Sequence, residues 1–180
     1  GDGDDHLVGD DGYTDSAGAD TIYGGDGNDI INTRGGDDTA YGEAGDDRLH
    51  DWKGGNQSLF GGAGDDFLQS GGNYKELSGG SGNDEFYLSN EFGNVLGKDD
   101  QGNEQTLDGG DGYDKLNLGQ VTPNTENVGD GLKVRLNDYN LEEVWGTSGN
   151  DKLDARFVDV GVKLVGGPVD NDGDDTLIGS

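Results

Sequence analysis

The stretches GGDGNDIIN (24–32), GGAGDDFLQ (61–69), GGSGNDEFY (79–87) and GGDGYDKLN (109–117) are one nine-residue phrase, and weakened copies of it run along the whole chain. So short a period restricts the fold before anything else does, because one copy cannot bury a face alone and is stable only when stacked on its neighbours. The phrase reads Gly-Gly-x-Gly-x-Asp-x-U-x, with U a large apolar residue. Positions one to six form a turn, where glycines allow positive φ and close backbone approach, so that several carbonyl oxygens can face one point. The aspartate at position six brings a charge to that point. Positions seven to nine are a short strand whose middle residue alone points inward. One apolar residue per copy then suffices, and the expected inward set is Leu7, Ile22, Ile30, Leu49, Leu59, Leu68, Leu77, Phe86, Leu116, Leu153 and Leu177.

No ordinary core can be built from this composition. The 180 residues include 38 glycines, carry a formal charge of −28 and are only 28% hydrophobic. Low hydrophobicity with high net charge marks a chain that stays unfolded without help. A bound cation is the missing term, since an ion that binds the folded chain alone stabilises it. At tenfold excess over its dissociation constant, each such ion adds roughly 1.4 kcal/mol, or about 10 for seven. With no cysteine and only His6 and His50, thiolate and imidazole centres are excluded, so the metal is hard and oxygen-seeking. Lys and Arg clusters that would neutralise phosphates are missing, which argues against a nucleic-acid partner. No apolar run is long enough to span a bilayer. The start at Gly1-Asp2-Gly3, inside a repeat, suggests a piece of a longer protein.

With four full copies of the phrase, the chain resembles the RTX (repeats-in-toxin) family of haemolysin-type calcium-binding repeats in secreted bacterial proteins. The resemblance implies an all-β fold, a right-handed parallel β-roll or β-helix solenoid with calcium stacked along an edge. It also implies export of an unfolded chain by the type I secretion machinery of a Gram-negative bacterium, folding in extracellular calcium, and a secreted or cell-surface location. Calcium takes six to eight oxygen ligands, so two stacked turns can close one site with carboxylates and carbonyls. The expected backbone donors are the carbonyls of Gly24, Gly25, Asp26 and Gly27; Gly42, Ala44 and Gly45; Gly61, Gly62, Ala63 and Gly64; Gly79, Gly80, Ser81 and Gly82; and Gly109, Gly110 and Asp111.

Two phrases make one turn of such a roll, so equivalent aspartates should recur about every 18 residues. Asp5, Asp29, Asp47, Asp66, Asp84, Asp114, Asp151 and Asp175 fit one edge, at separations of 24, 18, 19, 18, 30, 37 and 24. Seven ions are expected between consecutive members. The last pairs assume that Leu107, Val144 and Leu164 mark strands on the other side. On the opposite edge the position reads Asp20, Asp38, Gln57 and Lys75, so one further site is expected at Asp20/Asp38, and the ammonium of Lys75 should repel any ion beyond. Seven or eight calcium ions result. Residues 1–87 read as the regular roll, and 88–180 as its continuation with insertions at about 88–106, 118–143 and 155–163. Leu132–Leu136 alternates apolar and basic residues and reads as a strand. Asn140-Leu141-Glu142-Glu143-Val144-Trp145 then leads into the Gly turn at 146–154, as interrupted RTX arrays resume. Glycines every few residues leave no room for a helix.

Catalytic signals are weak by comparison. No Gly-x-Ser-x-Gly elbow is present, and His6 and His50, at strand positions seven and nine, should face solvent. With 39 acidic residues, a carboxylate pair at glycosidase spacing carries no information. The Asp170-Asn171-Asp172-Gly173 run would need Pro168 as its first ligand, which rules out an EF-hand. Gly97-Lys98-Asp99 is not a phosphate-binding loop. The sequence therefore points to a non-catalytic, calcium-dependent folding and secretion module. The alternative is a calcium-stabilised polysaccharide- or cell-surface-binding module, of adhesin, surface-layer or alginate-epimerase-like type, using Trp52, Tyr74, Phe92, Tyr139 or Trp145 on the inserted edge.

Overall fold

In a computed structural model of the chain, the described residues are 1–9, 18–52, 55–71, 73–89, 104–118, 133–135, 140–146, 152–155, 161–166 and 176–178. Every regular element among them is a strand. Strands β1 (His6–Val8), β3 (Ile30–Asn32), β5 (Arg48–Asp51), β7 (Phe67–Ser70), β9 (Glu85–Leu88), β11 (Lys115–Asn117), β13 (Glu143–Trp145) and β15 (Lys163–Val165) form an eight-stranded parallel sheet in that order. A five-stranded parallel sheet holds β2 (Thr21–Asp26), β4 (Thr39–Ala44), β6 (Gln57–Ala63), β8 (Tyr74–Ser81) and β10 (Thr106–Asp111). Successive strands alternate between the two sheets, and each pairs with the strand one turn away. The chain is thus a parallel β-roll. A three-stranded sheet of β12 (Lys133–Arg135), β14 (Lys152–Asp154) and β16 (Thr176–Ile178) alternates in the same way with β13 and β15 along the sequence. Among the described residues, no helix is long and apolar enough to cross a membrane.

Register follows from one apolar residue per strand. Leu7, Ile31, Leu49, Leu68, Phe86, Leu116, Val144 and Leu164 pair in one row, and Ile22, Ala40, Leu59, Leu77 and Leu107 in the other. Together with Tyr74, Leu88, Leu118, Leu141 and Ala155 these rows make the core, its outermost members Leu7, Ile22 and Leu164 only partly buried. A one-residue slip would turn every side chain over, so the inward apolar residue of a strand fixes its phase.

That phase corrects the expected inward set at two places. Ile31 is fully buried and Ile30 is 40% exposed, because Asp29 occupies position six and Ile31 therefore position eight. Leu177 is 44% exposed, and the side chain of Leu153 lies outside the described residues. Val144 and Leu164 also differ from expectation, since they lie in the eight-stranded sheet beside Leu116 rather than across from it. The strand foreseen at 132–136 is β12, and it takes the alternate place in the chain between β11 and β13. Leu107 does lie in the opposite sheet. Much of the expected insertions, and both Phe92 and Tyr139, falls outside the described residues.

Lys75 does not occupy the metal position. The register of β6 against β8 slips between Gln57 and Ser58, so Gln57 pairs with Tyr74 and Ser58 with Glu76. The bulge puts Lys75 in solvent while Tyr74 is buried. An extra residue in one strand re-aims its side chain, and an ammonium gains most from being the one expelled. On the outer surface, Trp52 is 59% exposed and its ring lies 5.7 Å from that of His50. His50 is half-buried rather than fully solvent-facing, beside Phe67 and with Nδ1 3.3 Å from Gln69 Oε1. His6 is exposed.

The register yields a direct test in the calcium-loaded chain. Ile31→Ala should destabilise by about 2–5 kcal/mol, as for other buried aliphatic truncations. Ile30→Ala should stay within about 0.5 kcal/mol, as for exposed sites. Denaturant unfolding of both variants measures the difference.

Candidate metal centre

Each strand of the eight-stranded sheet through β11 is preceded by the aspartate that ends its glycine turn. These aspartates stack into a ladder. The backbone N–H of Asp5 donates to Asp29 Oδ1 at 2.7 Å, Asp29 to Asp47 at 2.7 Å, Asp47 to Asp66 at 2.8 Å, Asp66 to Asp84 at 2.9 Å and Asp84 to Asp114 at 2.8 Å. From Asp29 to Asp114 every member is at most 2% exposed. One carboxylate oxygen is thereby used to hold the previous turn. The other oxygen, Oδ2 of Asp29, Asp47, Asp66, Asp84 and Asp114, is buried with no hydrogen-bond partner. Leaving such an atom unpaired costs more than a hydrogen bond returns, so five in a row define a place for something positive.

The glycines show what surrounds that oxygen. A Cβ added to Gly24 would collide with Asp29 Oδ2 and lie 2.7 Å from the Gly42 carbonyl oxygen. The same holds for Gly42 against Asp47 Oδ2 and Gly61 O, Gly61 against Asp66 Oδ2 and Gly79 O, and Gly79 against Asp84 Oδ2 and Gly109 O. Each turn thus brings a carboxylate oxygen and a carbonyl from the next turn around a space that only glycine leaves open. Acceptors facing acceptors across a dry gap repel one another unless a cation lies between them. Among the described residues no three His, Asp or Glu side chains gather into a metal-binding group. The donor set is therefore carbonyl-rich, which suits calcium and not zinc.

Several expected carbonyl donors have a second task. Those of Asp26, Ala44, Ala63, Ser81 and Asp111 accept the N–H of Gly3, Gly27, Gly45, Gly64 and Gly82 at 2.5 to 2.8 Å, tying one turn to the next. A carbonyl has two lone pairs, so this bond leaves one for a metal. A parallel ladder on the exposed rim joins position five of each turn. Asn28 N–H donates to Asp4 Oδ1, Asp46 to Asn28, Asp65 to Asp46, Asn83 to Asp65 and Tyr113 to Asn83, at 2.7 to 3.0 Å. Sequence reading passed over this row, although on this edge position five is Asn or Asp in every copy from Asp4 to Asn83, before Tyr113.

The ladder continues past Asp114, but through Glu142. Asp114 N–H donates to Glu142 Oε2 at 2.7 Å. Asp151 and Asp175 lie outside the described residues, and the strands that follow them, β14 and β16, pair with each other and with β12 rather than with β11. Equal spacing could have found Glu142, because Leu116 and Val144 are in register and each follows its acid by two residues.

On the opposite edge Asp20 N–H donates to Asp38 Oδ1 at 2.8 Å, and Asp38 is buried. The next turn brings Gln57, whose Nε2 donates to the Gly36 carbonyl at 2.9 Å. A neutral donor there takes a carbonyl oxygen that would otherwise face a cation.

Burial pushes the Asp66 carboxyl up to about 7, with the Asp84 and Asp47 charges acting the same way and the hydrogen bond from the Asp47 backbone opposing them. Asp84 and Asp114 are pushed up to about 6, again chiefly by burial, and Asp47 moves upward for the same reason. These are the values of a ladder without its cations. An ion beside each oxygen would reverse them.

Residues 14–49 and 53–73 match the family model of the RTX calcium-binding nonapeptide repeat in four copies, so this part of the chain carries RTX calcium-binding repeats. No curated protein and no solved structure gives a significant match to the chain.

A pH dependence follows. The metal-free fold binds more protons than the unfolded chain between about 4 and 7, so its stability rises on acidification and is lost as pH rises through the folded values. Calcium must displace those protons. Calorimetric titration should therefore give clearly weaker calcium binding at pH 6 than at pH 8, approaching about tenfold per pH unit at the Asp66 rung below its folded value.

Proposed function

We propose that this chain is a calcium-triggered folding module of a larger exported protein of RTX type. The observation that carries the reading is the row of buried aspartate oxygens without hydrogen-bond partners, which are costly to keep charged unless a cation completes them. The described turns support five ions on the main edge, between Asp5/Asp29, Asp29/Asp47, Asp47/Asp66, Asp66/Asp84 and Asp84/Asp114, and a sixth at Asp20/Asp38. Six ions bring twelve positive charges against a net −28. In calcium-poor cytosol the acidic turns repel one another and the chain stays open, the form that threads a type I export channel. Outside the cell, calcium at millimolar levels exceeds the affinity typical of extracellular sites, and the roll condenses behind the exit. Folding on one side only then opposes backsliding. The module's location is extracellular or at the cell surface of a Gram-negative bacterium.

Small-angle scattering tests the switch. In chelator the radius of gyration should be about 45 Å, as for an unfolded chain of this length, and calcium should reduce it to well under half. In a type I export assay, omitting external calcium should slow release of a fused cargo. Equal radii in chelator and calcium, with equal release, would overturn the proposal.

A further inference from the structure

We propose that Asp114, Asn140 and Glu142 form a further calcium site, closed by a glutamate on a shortened turn that departs from the nine-residue phrase. The inference rests on the calcium reading of the ladder and extends it to residues that no repeat pattern marks.

Three correspondences place this turn as the next rung. Asp114 N–H donates to Glu142 Oε2, as Asp84 N–H donates to Asp114 Oδ1. A Cβ on Gly109 would meet the Asn140 carbonyl oxygen and lie 2.6 Å from Asp114 Oδ2, as one on Gly79 meets Gly109 O and Asp84 Oδ2. Leu116 is in register with Val144, as it is with Phe86 on its other side. Asn140 thus stands for Gly109 and Glu142 for Asp114. Gly109 to Asp114 is six residues and Asn140 to Glu142 only three. The extra methylene of glutamate restores the reach that the shorter turn loses. Asn140 has φ 44°, in the left-handed region that Asn tolerates better than most residues.

An independent observation points to the ligand. Asp114 is fully buried, and its Oδ2 has no hydrogen-bond partner while facing the Asn140 carbonyl. Glu142 Oε2 keeps a lone pair after accepting the Asp114 amide, so two carboxylates and a carbonyl converge on the gap. The Asp114 to Glu142 rung therefore offers a divalent cation the same kinds of donor as the rungs before it, with fewer turn carbonyls.

Glu143 holds the strand in place from the outer face. Its carboxylate accepts from Lys163 Nζ at 2.5 Å, Trp145 Nε1 at 2.8 Å and Tyr113 Oη at 3.1 Å. These bonds join β13 to β15 and to the turn before β11. Glu143 acts as a positioning residue, and Trp145 lies within about 10 Å of Glu142 along the chain.

Terbium, a calcium surrogate, tests the site through its emission when tryptophan is excited. Trp52→Phe leaves Trp145 as the sole donor, since the chain has two tryptophans. Adding Glu142→Gln should lower the bound terbium by one equivalent and remove most of the tryptophan-sensitised emission, with the β circular dichroism retained. Unchanged stoichiometry and emission in Glu142→Gln would overturn the site. Should that variant not fold, Glu142→Asp is read instead: it keeps the charge and shortens the reach, and the sensitised phase should weaken by about tenfold or more. An unchanged phase in Glu142→Asp would overturn the proposal as well. A parent chain that takes up neither calcium nor terbium would overturn the calcium reading itself, an outcome distinct from loss of this one rung.

Discussion

Everything regular in this chain depends on a divided carboxylate. One oxygen of each position-six aspartate takes the amide of the turn before it, and the other is left in a dry, acceptor-lined gap. The first oxygen fixes the stacking distance and register. The second makes stacking unfavourable unless a cation is present. Glycine is required where a Cβ would fill the gap, as at Gly42 between Asp47 Oδ2 and the Gly61 carbonyl. So large a share of the sequence is spent on closing these gaps that only one or two apolar residues per strand remain for the core. The composition and the fold are consequences of the same local arrangement.

The two edges show how such an arrangement is kept or relinquished. On the main edge the carboxylate ladder survives an irregular stretch by exchanging aspartate for glutamate at residue 142. On the other edge it stops after Asp38, where the Gln57 amide supplies a hydrogen to the Gly36 carbonyl and Tyr74 fills the interior one turn later. An amide hydrogen can therefore take a turn carbonyl that would otherwise face an ion, and an apolar ring can fill the space beyond it.

The period made the roll, its two sheets and the ladder from Asp5 to Asp114 legible in the sequence, because turn chemistry and charge repeat together there. What escaped notice lay where the two come apart. Ile30 and Ile31 are chemically alike, and only counting from Asp29 separates them. Lys75 sits at the metal position by count, but a bulge moves it outward, and bulges leave no mark in composition. Glu142 was invisible to a search for Gly-x-Asp, although the phase of the apolar residues around it gives its place. The position-five Asx row was in plain view. Its role emerges only when backbone amides of neighbouring turns are seen to need acceptors.

The central claim is that the buried aspartate oxygens require cations, so the decisive measurement is the number of calcium ions taken up by the chelator-stripped chain as it folds. Calorimetry and far-UV circular dichroism on the same sample should show a coil-to-β transition that completes with the uptake of six or seven ions. A chain that is already β-structured in chelator, or that saturates at one or two ions, would contradict the account.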